Sequence, residues 1–430
     1  MRKSAITLSL VILIVLEDLF LFIFFKKGIT RQATNAWGLF LSSLLIGIII
    51  FFKFYNKAVE ENVPAATVVT KRKNFARWFL TFAALVWAGC VTNNVISEKP
   101  IDVHFSDIIP SIQLIIHQLL TGQHPYSYRT LSSIGFHSPP GYLPMHWLPY
   151  TIAQIGHFDY RWITYSIWSI AVIVLIMRCR KIQSTWVQMS IPILLGCSFY
   201  VITQLADSIL AHTVEIMVSG YYMLLIVGLN QRSAFLQGMF ITFCLLSRYS
   251  VALWLPLWAF ILFVSNHRKE LIISAITIAI LICVIYIIPF LSPDWSTFYA
   301  AHLANYEVNA MGEWYHNNEH GLPYHLFSGH GLAYMFYEKY ISTDLKYGYE
   351  LLKKTLFISL ISSSFLMGLW YWFNKEKIHY RIFMLVTFKI YLSIFLALIL
   401  IPYQYLMVTG NFVSIALFAE QARYRLTEKA

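Results

Sequence analysis

Apolar residues run along this chain in long, nearly unbroken stretches separated by short polar joints. Stretches of helix-spanning length cover 4–25, 36–53, 78–97, 161–178, 184–203, 211–229, 249–265, 270–291, 355–374, 380–401 and 403–420, with shorter ones at 141–156 and 233–247. A helix needs about 20 residues to cross a hydrocarbon core about 30 Å thick, so the pattern predicts an all-α, polytopic helical membrane protein of about 12 spans (roughly 11–13). Composition agrees. Of 430 residues, 58% are hydrophobic and 12% charged, about half the charged fraction of an ordinary soluble domain. A soluble fold is excluded, because a core of that size cannot hide so much apolar surface. Many of the 27 Tyr and 13 Trp fall at span ends, where amphipathic rings anchor at the headgroup level. Arg2 and Lys3 before the first apolar run resemble a signal peptide, but no small-residue cleavage site follows and Lys26-Lys27 ends the run. The segment is read as the first span.

The formal charge of +11 is spread in small groups between the apolar stretches. That is a topology signal, not the single basic face that nucleic acid requires, so no nucleic-acid partner is expected. The five cysteines, Cys90, Cys179, Cys197, Cys244 and Cys283, have no paired spacing for a metal site or a disulfide framework. The densest basic stretch, Lys53 to Arg77, contains Lys57, Lys71, Arg72 and Lys73 and belongs in the cytoplasm by the positive-inside rule. The third span then exits near Asn94. If 141–156 does not cross, the groups Arg178/Arg180/Lys181, Arg232, His267/Arg268/Lys269, Lys375/Lys377/Arg381 and Arg423/Arg425/Lys429 all become cytoplasmic; if it crosses, all of them flip. Pro144 and Pro149 suit a broken, re-entrant segment. The economical topology places both termini in the cytoplasm, with only Lys26, Lys27 and Arg31 against the rule. The whole chain, 1–430, reads as one membrane domain with two long extracytoplasmic loops, 98–160 and 292–353.

The first loop opens Ile101-Asp102-Val103-His104-Phe105-Ser106-Asp107. It continues with Ile108, Ile112, Ile115, Ile116 and Leu119 at helical spacing, a stripe that suits a juxtamembrane helix lying on the bilayer surface. Asp107 at its start sits at the positive end of the helix dipole, which favours the ionised form. It is placed either to act as a base or to cap the helix. Gly122-Gln123-His124-Pro125-Tyr126 follows, then His137-Ser138-Pro139-Pro140, the apolar segment to Gly156, and Asp159-Tyr160-Arg161. Further on stands Leu246-Ser247-Arg248-Tyr249-Ser250-Val251-Ala252-Leu253-Trp254-Leu255-Pro256.

This order of features resembles the polyprenyl-phosphate-sugar-dependent glycosyltransferases of the GT-C class, including bacterial polyprenol-phosphate mannosyltransferases. The shared features are an Asp at a span exit, a juxtamembrane helix, Gly-x-x-Pro-Tyr, and Pro-Pro opening an apolar segment. Arg161 also resembles the family's pattern. The segment 246–256 is similar to one in which a Lys at a span junction precedes an apolar run ending in Leu-Pro; here the basic residue is Arg248. The resemblance covers 98–265, and the first loop lacks the Asp-x-Asp of the metal-dependent oligosaccharyltransferase branch. It implies an integral protein of the bacterial inner membrane with an extracytoplasmic active site, acting on a polyprenyl-phosphate sugar, mannose or another hexose, and a glycan, lipid or protein acceptor. Neither a metal nor a cofactor is expected.

A sugar linked through phosphate to a polyprenol already has an activated anomeric carbon. The enzyme must deprotonate an acceptor hydroxyl and stabilise the departing lipid phosphate. Asp107 suits the first task, and Arg248 the second through bidentate contact; the alternative for Arg248 is a snorkelling cation at a span end. Arg129 and Arg161 are further candidates for phosphate contact or for loop pairing, and His137 for sugar or phosphate contact or for a structural role. Tyr126, His212 and Glu215, with Asp207 just before, are placed to meet sugar hydroxyls. Glu17 and Asp18 fall inside the first apolar run, where lipid exposure is costly, and read as a polar contact with a neighbouring span.

The second loop contains Glu313-Trp314-Tyr315-His316-Asn317-Asn318-Glu319-His320, then Gly321-Leu322-Pro323-Tyr324-His325 and His330. His316-x-x-Glu319-His320 matches the order of an inverted zinc-peptidase motif, but Asn-Asn and Gly-Leu-Pro argue for a loop where that site needs a helix. Its aromatics, amides and His suit stacking on sugar rings, as a lid or acceptor wall. Two other function classes fit many spans with a few buried charges: a transporter or lipid flippase, and a membrane zinc peptidase. The absence of repeat symmetry and the large asymmetric loops count against transport.

Overall fold

The computed structural model describes residues 3–23, 32–61, 71–127, 130–131, 136–137, 141–205, 208–304, 310–315 and 321–427. The chain begins with α1 (Lys3–Asp18), prolonged by a π-helical stretch over Leu19–Ile23, then α2 (Gln32–Phe54), β1 (Ala58–Glu61) and α3 (Lys71–Glu98). The first loop holds α4 (Ile108–Leu120), β2 (Thr130–Leu131), β3 (Phe136–His137), α5 (Pro144–Trp147), a 3-10 turn over Leu148–Tyr150 and α6 (Thr151–Gly156). Next come α7 (Arg161–Cys179), α8 (Thr185–Leu205), α9 (Ser208–His212), α10 (Glu215–Leu229) and α11 (Ala234–Leu245). A 3-10 segment, Tyr249–Trp254, leads into α12 (Leu255–Val264), and α13 (Arg268–Ile282) is prolonged by a π-helix over Cys283–Leu291. The second loop carries α14 (Trp295–Ala304), α15 (Ala310–Tyr315) and α16 (Ala333–Tyr340), and the chain closes with α17 (Leu345–Asn374), α18 (Tyr380–Ala397), α19 (Gln404–Gln421) and β4 (Tyr424–Thr427). The strands form two small antiparallel pairs, β1 with β4 and β2 with β3.

This is an all-α membrane protein. Among the described residues, 8 helices are long and apolar enough to cross a bilayer: α1, α2, α3, α7, α8, α13 with its π continuation, α17 and α18. Helices α10 and α19 are buried along nearly their whole length and pack on each other at the centre. Enclosure by protein explains why α19 tolerates Thr409, Asn411, Ser414 and Glu420 in an apolar setting.

The ends of the helices sort onto two faces. At one, the buried Glu420 of α19 pairs with Arg178 of α7 and with Arg423, and Asn230 after α10 donates to it. Lys53 of α2 donates to Gln421, and the Asn56 N–H reaches the Lys377 carbonyl at 2.6 Å. Most of the basic groups counted as cytoplasmic above therefore gather at one end. At the other end, Arg161 at the start of α7 donates through Nη1 to the Lys99 carbonyl just beyond α3, at 2.6 Å. The start of α7 thus lies beside the end of α3. Pro144 to Gly156 would make about 20 Å of continuous helix, short of the ~30 Å core. In fact the segment is broken by the 3-10 turn at Pro149 and closed by His157 in the left-handed region, φ 52.

Two expectations change. The Ile stripe of α4 is buried in protein, with α5 and α6 among its neighbours, where display toward lipid was expected. In the second loop Trp314, Tyr337 and Tyr349 pack into a core of its own with Leu326 and Leu352. Burial there outweighs display, so these rings are not a sugar-stacking wall; Tyr315 and Tyr324 remain exposed. Helix α17 starts ahead of its apolar stretch, at Leu345, with Asp344 accepting from the Tyr347 N–H at 3.0 Å. Glu17 and Asp18 do meet neighbouring spans: Lys389 Nζ of α18 lies 2.9 Å from Glu17 Oε1, and Ser198 of α8 donates to Asp18 at 2.8 Å.

Candidate active site

Asp107 stands immediately before α4, yet its side chain makes no cap hydrogen bond. Ser106 takes that role: its hydroxyl accepts from the Ile108 N–H at 3.3 Å and donates to the His212 carbonyl at 3.2 Å. The Asp107 carboxylate is thereby released from capping. Burial holds its pKa above the ordinary 3.8; its own backbone N–H works against that rise, and the Glu313 carboxylate adds to it. The helix dipole was expected to favour ionisation, but loss of water and a like charge prevail.

Facing it are residues from distant parts of the chain. Glu313 of α15 accepts from the Tyr403 hydroxyl at 2.9 Å, and His325 Nε2 lies 3.8 Å from its other oxygen. Tyr142, from the Pro-Pro segment, stacks on His146 with ring centroids 4.7 Å apart. Tyr142 and Tyr405 lie within electrostatic range of both Asp107 and Arg248. Burial raises the Tyr142 phenol far above its usual range, with Asp107 next in effect.

Arg248 follows α11 in an extended conformation, φ −152 and ψ 140. Its guanidinium pairs side-on with Glu215, the first residue of α10: Nε lies 3.2 Å from Oε2 and Nη2 meets Oε1. Glu215 is enclosed while Arg248 is about a third exposed. The Met145 N–H donates to the Leu246 carbonyl at 2.8 Å, which docks the re-entrant segment on the Arg248 turn. Between these elements opens a cavity of about 620 Å³. Leu253, Leu356, Leu360, Phe395 and Ile399 make its wall apolar, and Tyr142, His146, Arg248, Lys353 and Tyr403 supply polar groups. Asp107 does not line it but adjoins it through Tyr142 and Tyr403.

Comparison with known protein families, curated proteins and solved structures gives no match.

The remaining expected residues fall differently. Arg161 is buried and its fork is spent on protein: Nε and Nη2 pair with Asp159 at 2.8 and 2.7 Å, and Nη1 holds the Lys99 carbonyl. Tyr126 is also buried, donating to the Tyr142 carbonyl at 3.0 Å and accepting from Trp147 at 3.3 Å, so it braces the re-entrant segment. The His212 ring stacks on Phe105 beside the Asp107 loop. His137 belongs to β3 opposite Thr130; its side chain, like Arg129, Asp207 and the motif His316–His320, lies outside the described residues. Among the described residues no group of three or more His, Cys, Asp and Glu stands where it would hold a metal. Sequence reasoning missed Tyr142, Lys353 and Tyr403, and assigned no task to Glu313. Lys353 carried a signal, a basic residue at the edge of an apolar stretch.

Proposed function

We propose that this protein is an inverting glycosyltransferase that moves a hexose, with mannose favoured, from a polyprenyl-phosphate donor to an acceptor hydroxyl outside the cytoplasm. The observation that supports this best is a carboxylate freed from capping, beside an apolar cavity whose wall carries Arg248. Adding α10, α11, α12 and α19 to the 8 long helices gives twelve spans. The face carrying Glu420 and its basic partners is then cytoplasmic in a bacterial inner membrane, with both termini there.

In this reading the cavity, within the usual 300–1,000 Å³ of ligand sites, takes the first part of the prenyl chain. Asp107 accepts the proton of the acceptor hydroxyl, whose oxygen attacks the anomeric carbon opposite the phosphate. The bond from that carbon to the phosphate oxygen breaks, and polyprenyl phosphate leaves with the electron pair. Arg248 stabilises the developing negative charge, with Glu215 fixing one edge of its fork and leaving the other for phosphate. The raised pKa makes Asp107 a stronger base than an exposed carboxylate. A transport reading has less support. The cavity beside Glu17 is about 20 Å³, room for one water molecule.

Purified protein in lipid, given labelled polyprenyl-phosphate mannose and membrane extract, should yield a labelled product with inverted anomeric configuration. Asp107→Asn should lower turnover by about 10²–10⁴-fold with the fold intact. Full activity in that variant would remove Asp107 as base, and no consumption of any polyprenyl-phosphate hexose would remove the donor class.

A further inference from the structure

Two neighbouring walls of the large cavity share one polarity. On α17, Lys353, Leu356, Phe357 and Leu360 line it, spaced i, i+3, i+4 and i+7 as one helical face requires. Helix α17 starts from the second loop, so Lys353 stands nearest the loops and the apolar residues run about 10 Å deeper. On the 3-10 segment packed beside α17, Arg248 comes first, with Ala252 and Leu253 further in. The Met145 bond to Leu246 holds that end against the first loop. Among the described residues that line the cavity, Arg248 and Lys353 are the only Arg and Lys, and both stand at its loop end.

Their charges are committed differently. Arg248 is matched by the enclosed Glu215, so that pair brings no net charge to the cavity. Lys353 has Glu350 at 3.6 Å, but the two side chains are 33% and 40% exposed, and Glu350 does not line the cavity. A pair so placed is worth little, and an ammonium on a flexible stem can swing from it toward an anion. Glycosyl transfer makes that charge matter. The lipid phosphate carries one negative charge while the hexose is attached. When the bond from the anomeric carbon to the phosphate oxygen breaks, the electron pair stays on that oxygen, and the resulting monoester carries about −1.5 to −2 at neutral pH. A guanidinium already matched by a carboxylate leaves this added charge without a counterpart.

We propose that Lys353 is a second phosphate cation, which meets the charge gained by the lipid phosphate as the hexose leaves and so holds polyprenyl phosphate in preference to the donor. This rests on the glycosyl-transfer reading above. Arg248 fixes where the phosphate sits, and Lys353 lowers the barrier because its attraction grows as the bond breaks. The same attraction makes the lipid product an inhibitor.

Binding of polyprenyl phosphate and of polyprenyl-phosphate mannose to the full chain in nanodiscs is measured beside single-turnover transfer, with unphosphorylated polyprenol as control. Lys353→Gln should weaken polyprenyl phosphate binding about tenfold or more, leave donor binding within about threefold, and slow the single-turnover rate. In wild type, product binding relative to donor binding should tighten as pH rises through about 6, where the monoester loses its second proton. Lys353→Gln should flatten that rise, and Lys353→Arg, which keeps the charge, should retain it. Ionisation of Asp107, Glu215, Glu313 or Glu350, or proton loss from His146 or His325, would act with the opposite sign, weakening anion binding as pH rises. Equal losses for donor and product, or product binding in Lys353→Gln as tight as in wild type, would overturn the role of Lys353 and leave the donor class standing. Wild-type protein that binds neither lipid better than polyprenol would remove the donor class and this role together. Should Lys353→Gln fail to fold, wild type decides: a pH rise for the product that the donor lacks supports the proposal, and the same pH course for both refutes it.

Discussion

Glu17 and Lys389 offer a test of whether the charges in the membrane interior hold the bundle together or carry out its work. Lys389 Nζ sits 2.9 Å from Glu17 Oε1 and 3.1 Å from the Gly410 carbonyl, joining α18, α1 and α19. Lys389 is fully buried and Glu17 nearly so, and Glu17 Oε2 has no partner among the described residues. Replacing Glu17 with Gln strands the ammonium. If it responds by releasing its proton at pH 7, the cost from the ordinary lysine pKa is roughly 5 kcal/mol. Replacing Lys389 with Met leaves the buried carboxylate without its cation. Each single substitution is therefore bounded near the 3–5 kcal/mol typical of breaking a buried pair. The double variant leaves no stranded charge, only a buried amide, so it should lose less stability than either single variant, a strong departure from additivity. Reversible unfolding in bicelles measures all four proteins, and glycosyl transfer is assayed beside them. Single variants within about 1 kcal/mol of wild type, or a double variant as unstable as the two losses together, would refute the structural reasoning. A double variant that folds normally but has lost function would give the pair a working role.

Other groups make separate predictions. The pKa of Asp107 is raised by burial, so transfer should fall as pH drops through a midpoint above 3.8. By the same linkage the folded state holds that proton more tightly than the unfolded chain, which costs stability at neutral pH; Asp107→Asn should unfold no earlier than wild type in a thermal scan at pH 7. His330, whose Nε2 donates to the Leu21 carbonyl across 3.1 Å, is pushed down by burial from 6.5 to about 4. Its neutral form is favoured by folding, so about 3 kcal/mol of stability present above pH 6.5 should be lost as pH falls toward 4, and His330→Gln should flatten that slope. Arg161→Leu should destabilise by about 3 kcal/mol, leaving Asp159 unpaired, while the KM for the lipid donor stays unchanged. A raised KM with wild-type stability would return Arg161 to the binding site.

What the sequence could reveal follows from the range of each interaction. Apolar runs record contact with lipid or core residue by residue, so α1, α2, α3, α7 and α8 were legible with their approximate ends. Whether 141–156 crosses could be posed from the sequence, because charge placement on later spans depends on it, and the Arg161 contact with Lys99 puts the start of α7 beside the end of α3. Lys389 left no such trace. A single cation inside an apolar run gains meaning only when Glu17, far away along the chain, is known to stand beside it. The candidate site divides in the same way. Asp107 and Arg248 announced themselves by local context, a helix start and a span junction, whereas Tyr142, Glu313 and Tyr403 look locally like any interfacial tyrosine or loop acid. Their place is set by how the two loops dock. Arg161 shows the converse: the resemblance marked it for a ligand, but the same residue also closes the carbonyl end of α3. Only geometry shows that its nitrogens are already engaged there, while one edge of Arg248 stays available toward the cavity.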